Sequence, residues 1–261
     1  MKLDRDFYTS HIKSKEKVFL MRRLIDKIEI VLSKHIVQST DFLDPYERLL
    51  AKSILNRFNE IGYSEDGQNK NSERQIIVIF PQYYVEFCIH DFITAIRIKG
   101  DLQSLNHRDC LGSILGLGIK RDKVGDILVY SDHMDVVLKR EVAGYILMNL
   151  EKIGNRKVVV SKIPLNSLSE GEVAFREIQK TLSSNRLDVY LSAVYNLSRS
   201  ESRQFISSDK VKVNWEEIDK ASKEIKAGDV ISVRGIGRSI LYSIDGFSKK
   251  GKIKANIRII I

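Results

Sequence analysis

Arg186-Leu187-Asp188, Ser198-Arg199-Ser200-Glu201, Arg203, Lys210-Val211-Lys212-Val213-Asn214 and Gly228-Asp229-Val230-Ile231-Ser232-Val233-Arg234-Gly235 follow one another between residues 182 and 261. Leu187, Leu191 and Val194, with Tyr190 and Leu197, form an apolar helical stripe, which reads as core. Ser198 and Glu201 have the spacing of a capping box and open a second short helix. Arg199 and Arg203 are four apart, so both project from one face of it, while Phe205 and Ile206 turn the other way. Val211 and Val213 alternate with Lys210, Lys212 and Asn214, as on a strand with one buried side. Arg234 is followed by Gly235-Ile236-Gly237-Arg238, where two glycines let a phosphate backbone come close. Guanidiniums in pairs fork onto phosphate oxygens. The competing reading is of solvated arginines on a helix surface, since charge runs are mostly solvated faces.

Charge supports the first reading. The 261 residues carry a formal charge of +9, with 43% hydrophobic and 30% charged residues, a globular rather than disordered composition. Residues 182–261 hold 15 Lys+Arg against 9 Asp+Glu, and the remainder 28 against 25. The excess therefore sits on the segment just described, and excess positive charge favours polyanions through counterion release.

In its order of motifs, residues 182–242 resemble the S-four domain, the small RNA-binding module named after the fourth protein of the small ribosomal subunit. The resemblance implies a small α/β fold that holds structured RNA through its two-helix face and the following strand. Phosphate and sugar contacts are expected to dominate, because side chains do not read the deep groove of A-form RNA. Arg199, Arg203, Lys210, Lys212 and Arg234 are the first candidates for phosphate contact, and Arg186, Asn214 and Arg238 the second rank.

Upstream, Val18, Met21, Ile25, Ile28 and Leu32 predict a helix over 10–36. Asp44-Pro45-Tyr46-Glu47 predicts a capped helix running to Gly62, and Ser64–Ser72 a loop. Strands are expected at Gln75–Phe80, Val85–His90, Ile93–Lys99, Ile127–Ser131, Asp135–Lys139 and Lys157–Ile163, with helices at His107–Leu117 and Arg140–Ile153. The core order β-α-β-β-α-β predicts a ferredoxin-like sandwich, to which the two earliest strands either add or lead. A further strand over Val173–Ile178 is a weaker expectation. The fold class is thus α+β: a helical N-terminus (1–75), a ferredoxin-like, RNA-recognition-motif-like middle domain (76–166), a linker (167–181) and the S-four-type domain (182–261).

Three further motifs are Thr40-Asp41-Phe42-Leu43-Asp44-Pro45, Leu105-Asn106-His107-Arg108-Asp109-Cys110-Leu111-Gly112 and Leu117-Gly118-Ile119-Lys120-Arg121-Asp122-Lys123-Val124-Gly125-Asp126-Ile127. With the C-terminal region they are similar to the YlmH family of Gram-positive bacteria and their relatives. That resemblance implies a ribosome-associated RNA-binding protein acting on stalled large subunits that carry peptidyl-tRNA, with rRNA and tRNA as partners; a link to cell division is a further possibility. The middle strands depart from a standard RNA-recognition motif: Ile93–Lys99 and Asp135–Lys139 contain no aromatic residue, so base stacking there is not expected. His107, Arg108 and Arg121 are candidate contacts to RNA or ribosome, against a reading of His107-Arg108-Asp109 as an ordinary capped helix start, with Asp109 at the positive end.

The enzyme alternative is a pseudouridine synthase, several of which carry an S-four domain. Arg186-Leu187-Asp188 has the letters of its Asp motif but lies within the S-four helix, and His107-Arg108-Asp109 lacks the context. No P-loop, dinucleotide turn or His-x-x-x-His spacing is present, so neither enzyme activity, nor cofactor, nor metal is expected. A third reading is an adaptor docking a protein through Arg22, Arg23 and Lys27. Cys88 and Cys110 show no paired spacing and read as core thiols in a reducing cytoplasm. No apolar signal region and no membrane span of about 20 apolar residues occurs. A cytoplasmic monomer is expected.

Overall fold

The computed structural model describes residues 2–67, 72–84, 88, 91–169, 175–248 and 250–260. They form two compact units, 1–172 and 173–261.

The first unit opens with α1 (Arg5–Thr9) and α2 (Lys15–Lys34). The helix expected over 10–36 thus starts only at Lys15, because the 3.6-residue stripe has not yet begun at Ser10–Ser14, and α1 precedes the expected span. α2 ends at His35, whose left-handed backbone (φ 57°) turns its N–H onto the Val31 carbonyl. α3 (Pro45–Leu55) starts at the predicted capping box: Asp44 accepts from the Glu47 N–H and Glu47 from the Asp44 N–H, both at 2.8 Å. Gly62 does not end this helix. It lies in β2 (Ile61–Asp66), where an added Cβ would fall 2.4 Å from the Phe80 ring. Ser64, Glu65 and Asp66, expected in a loop, belong to the same strand. β2 is an edge strand and its polar sequence hides it.

β3 (Ile76–Pro81) hydrogen-bonds to β2 and to β1 (Gln38–Ser39). The sequence reading grouped this strand with the middle domain, but its ladder belongs to the N-terminal sheet. β3 is apolar on both faces because both are covered. Ile77 and Ile79 pack with Met21, Ile25 and Ile54 of the helices. Ile76 and Val78 pack with Phe42, Ile93, Ala95 and Val137 of the next layer.

That layer is built from β4 (Ile93–Gly100), α4 (His107–Gly116), β5 (Val124–Val129), β6 (His133–Lys139), α5 (Arg140–Asn149), β7 (Lys152–Ile153) and β8 (Arg156–Ile163). The antiparallel order β5-β6-β4-β8-β7 is the ferredoxin-like arrangement with a short hairpin appended. α5 stops four residues before the predicted end because Lys152 and Ile153 turn into that hairpin. α4 and α5 cover one sheet face through Cys110, Ile114, Ala143 and Ile146. The opposite face, which stacks bases in RNA-recognition motifs, is occupied over Ile93, Ala95 and Val137 by Phe42, Ile76 and Val78. Each Ile, Val or Phe side chain among these contributes roughly 1.5–3 kcal/mol by leaving water. The strand expected over Val85–His90 falls, apart from Cys88, outside the described residues. Cys110 is buried but Cys88 is exposed, so only one of the two is a core thiol.

The second unit contains β9 (Phe175–Leu182), α6 (Leu187–Tyr195), α7 (Arg199–Ser207), β10 (Val211–Val213), β11 (Glu216–Glu217), β12 (Val230–Val233), β13 (Gly237–Phe247) and β14 (Ile253–Ile260). Its sheet order is β11-β10-β12-β13-β14-β9. Residues 175–181, read as linker, are instead strand: β9 pairs with β14 from Leu182↔Ile253 to Phe175↔Ile260. Leu187, Tyr190, Leu191 and Val194 of α6 pack on Val211, Val213, Ile231, Val233, Leu241 and Ile257. The helices therefore cover one face of the sheet, and the buried Tyr190 hydroxyl is matched by Ser239 Oγ at 2.9 Å.

A candidate nucleic-acid interface

The helical side of the second unit is organised by one carboxylate. Asp188, near the start of α6, is 2% exposed. Arg186 Nε and Nη2 donate to its two oxygens at 3.0 Å each, a bidentate fork. Arg203 Nε stands 3.5 Å from Asp188 Oδ2 while its side chain stays 60% exposed. The Arg186 guanidinium holds the Asp188 carboxyl below the usual carboxylate range, against the opposing effect of burial, with Arg203 adding to the shift. Asp188 is thus a structural anchor for two arginines. Arg199, the first residue of α7, is exposed one turn before Arg203. The capping box that aims this helix is present: Glu201 N–H donates to Ser198 Oγ at 3.2 Å and Ser198 N–H to Glu201 Oε2 at 2.7 Å.

Lys210 and Arg234 meet where β10 begins and β12 ends. The Arg234 N–H donates to the Lys210 carbonyl at 2.8 Å, and Lys210 Nζ lies 5.6 Å from the Phe205 ring centre. Both side chains are exposed.

The remaining predicted contacts lie elsewhere. Lys212 alternates with the buried Val211 and Val213, so it projects from the sheet face away from the helices, where its Nζ is 3.3 Å from Glu217. Arg238 lies on that same face. It sits in register with Ser232, whose Oγ accepts from its Nε at 3.2 Å, and Ser232 is in register with Lys212. Asn214 is a turn residue. Asn214 and Trp215 both have positive φ (50° and 66°), the pattern of a two-residue hairpin. The Asn214 amide donates to Asp229 and accepts from the Val230 N–H. The single surface expected from α7 and β10 is therefore two surfaces, split by the alternation of the strand.

In the first unit, Asn106 caps α4 and Asp109 completes the box, so the capped-helix reading of this motif holds. His107 and Arg108 are exposed at that helix start. Arg121 is half-buried and donates to the Val124 carbonyl; burial, with repulsion from Arg74, pulls its guanidinium down to about 10. It braces the turn into β5.

One surface feature was missed. Arg258 of β14 lies 3.5 Å from the Tyr242 ring centre and 4.4 Å from that of Phe175. These residues are distant in sequence and only strand pairing unites them. No helix among the described residues is long and apolar enough to cross a membrane.

Comparison with known proteins fits this geometry. A family model described as the putative RNA-binding domain in YlmH matches residues 86–167, and an S4 domain model matches 185–231. The chain is 30% identical over 251 residues to ribosome-associated protein quality control protein P2 of Bacillus subtilis (strain 168), covering 95% of this chain and 96% of that protein. The solved structure of the cell division protein ylmH from Streptococcus pneumoniae superposes with a TM-score of 0.54 at 23% identity, over 60% of this chain and 97% of the other, a likeness of fold.

Proposed function

The chain belongs to the YlmH family, and on that premise we propose that it binds structured RNA on the ribosome through the helical side of its C-terminal unit. The observation that carries this reading is the Asp188 anchor, which presents Arg186 and Arg203 beside the exposed Arg199. A fixed guanidinium loses less freedom when it grips a phosphate than a mobile one does. Lys210 and Arg234 extend the cationic area at the strand ends. The name of the Bacillus subtilis relative supports a role in ribosome-associated quality control. The finer reading is of the large subunit carrying peptidyl-tRNA, with rRNA and tRNA both held. The action is binding, with no chemical step, in the cytoplasm. Arg199, Arg203, Lys210 and Arg234 are the phosphate contacts, and Lys212, Arg238, His107 and Arg108 are outlying contacts.

The test is co-sedimentation with ribosomal fractions at low and high salt, followed by sequencing of crosslinked RNA. Comigration with large subunits, with crosslinks to large-subunit rRNA and tRNA, is expected. Replacing Arg199 and Arg203 together by Ala should release the protein at a lower salt concentration. Wild-type retention by that variant would remove the helical side as the RNA surface.

A further inference from the structure

The sheet of the second unit has one face covered by α6 and α7, through Val211, Val213, Ile231, Val233, Leu241 and Ile257. Strand alternation sends Lys212, Ser232, Arg238, Ile260 and Phe175 to the other face, and strand register aligns them in one row across five strands. At about 4.8 Å per strand this row is roughly 19 Å wide. The adjacent row carries Ile240, Arg258 and Glu177.

Aromatic rings and guanidiniums interleave here. Arg258 is stacked on Tyr242 and Phe175, at 3.5 and 4.4 Å from their ring centres, and its Nε donates to Glu177 at 2.8 Å. Arg238 lies 5.3 Å from the ring centre of Trp215. Tyr242 and Phe175 remain 50% and 45% exposed although their rings are held in place. Rings that are fixed by a cation yet half open to solvent offer flat π-faces at little further cost in side-chain freedom. Lys212 and Lys254, on the same face, add positive charge at its margins. Tyr, Trp, Phe and Arg are enriched at protein-docking centres as well, but lysine is depleted there, and here Lys212 and Lys254 flank the rings. This face has arginine at its centre, in contact with aromatic rings.

We infer that the outer face of the C-terminal sheet, with Tyr242, Phe175 and Trp215 as platforms and Arg238 and Arg258 between them, is a second RNA surface that takes unpaired nucleotides by base stacking. Bases stack on such rings whatever their identity, and the guanidiniums meet the phosphates between them. The row has room for several bases at about 3.4 Å each. This surface is distinct from the helical side, so the chain can hold a folded RNA on one side and a single-stranded segment on the other.

Trp215 is the one tryptophan of the chain, so its fluorescence reports on this face. The full-length protein should be titrated with an unstructured oligouridylate of about twelve nucleotides, within the usual site size of single-strand binders. Quenching or shift of the Trp215 emission is expected on binding. Tyr242→Ala and Phe175→Ala should each weaken binding of the oligonucleotide by about fivefold or more, whereas Tyr242→Phe should bind as wild type. A stem-loop RNA provides the contrast: its affinity should fall in the Arg199→Ala, Arg203→Ala protein and hold in Tyr242→Ala. Failure of that first effect would count against the helical-side reading alone. Wild-type protein that binds no oligouridylate, or binds it with Trp215 emission unmoved, would overturn the stacking surface without any variant being needed. Equal affinity of Tyr242→Ala, Phe175→Ala and wild type would overturn it too.

Discussion

Arg203 Nε and Asp188 Oδ2 lie 3.5 Å apart, and the same carboxylate is forked by Arg186 at 3.0 Å. One buried acid thus sets two exposed arginines. Asp188→Asn keeps the shape and removes the charge. It should weaken binding of a stem-loop RNA several-fold although Asp188 itself faces no phosphate. Folding stability at neutral pH should fall as well, by an amount kept modest because Arg186 and Arg203 are both well exposed. Filter binding and thermal melting of the same preparation separate the two effects.

Acid should reveal the anchor as well. The Asp188 carboxyl sits below its ordinary value in the folded state, so its contribution is present above the unfolded value near 3.9 and is lost as pH falls through the folded one. Wild-type protein should therefore lose stability below about pH 4 faster than Asp188→Asn. Chemical denaturation across pH 2–6 measures the difference.

Lys139 gives the same sign of slope at the alkaline end, but there the shift marks a charge that burial disfavours. It is 5% exposed, its Nζ donates to Ser39 Oγ at 2.7 Å and to the Thr40 carbonyl at 3.0 Å, and burial pulls its pKa to about 8. Between about pH 8 and the unfolded value near 10.4 the unfolded chain binds more protons, so stability from this group rises with pH there, at a slope of up to ~1.4 kcal/mol per pH unit. In Lys139→Met that rise is absent. The gap in urea midpoint between the two proteins should move in favour of wild type from pH 8 to 10.

Glu47 serves two partners. It closes the α3 capping box and accepts from Lys17 Nζ at 2.7 Å, with both side chains almost fully covered. Glu47→Ala leaves a buried ammonium unpaired and should cost about 3–5 kcal/mol. Lys17→Met should cost clearly less. Thermal melts of the two variants give the order.

Gly125 of β5 lies under the buried Phe42 ring, and an added Cβ would fall 2.8 Å from it. Gly125→Ala should displace Phe42 from its place over the middle sheet and cost about 1–3 kcal/mol. A loss of melting temperature with RNA affinity unchanged would confirm that this contact is packing alone.

Local signals in the sequence were reliable where one element explains itself. The capping boxes at Asp44 and Ser198, and the polar stretch Asn106–Asp109, mark three helix starts that the structure forms. β-branched runs marked β4, β6 and β8. What stayed hidden depends on partners distant in the chain. The polar β2 is a strand because Ser64, Glu65 and Asp66 pair with Val78, Ile77 and Ile76. Gly62 is small because of Phe80, not because a helix ends there. Within the site, the residue types were legible but their grouping was not. Lys212 and Arg203 read as neighbours, yet strand alternation turns Lys212 away from the helices. Asn214 looked like a contact, and its amide is consumed by its own turn.

β9 comes first in its unit and β14 last, and the two share an eight-residue ladder from Leu182↔Ile253 to Phe175↔Ile260. During synthesis, therefore, Phe175 to Leu182 leave the ribosome long before the strand that pairs with them exists. α6, α7 and the strands up to β13 can assemble locally, while β9 waits for residue 260. Closing that long loop is slow compared with the hairpins that precede it. The C-terminal unit completes its sheet only once β14 has been made, so its outer face is the last part of the unit to form.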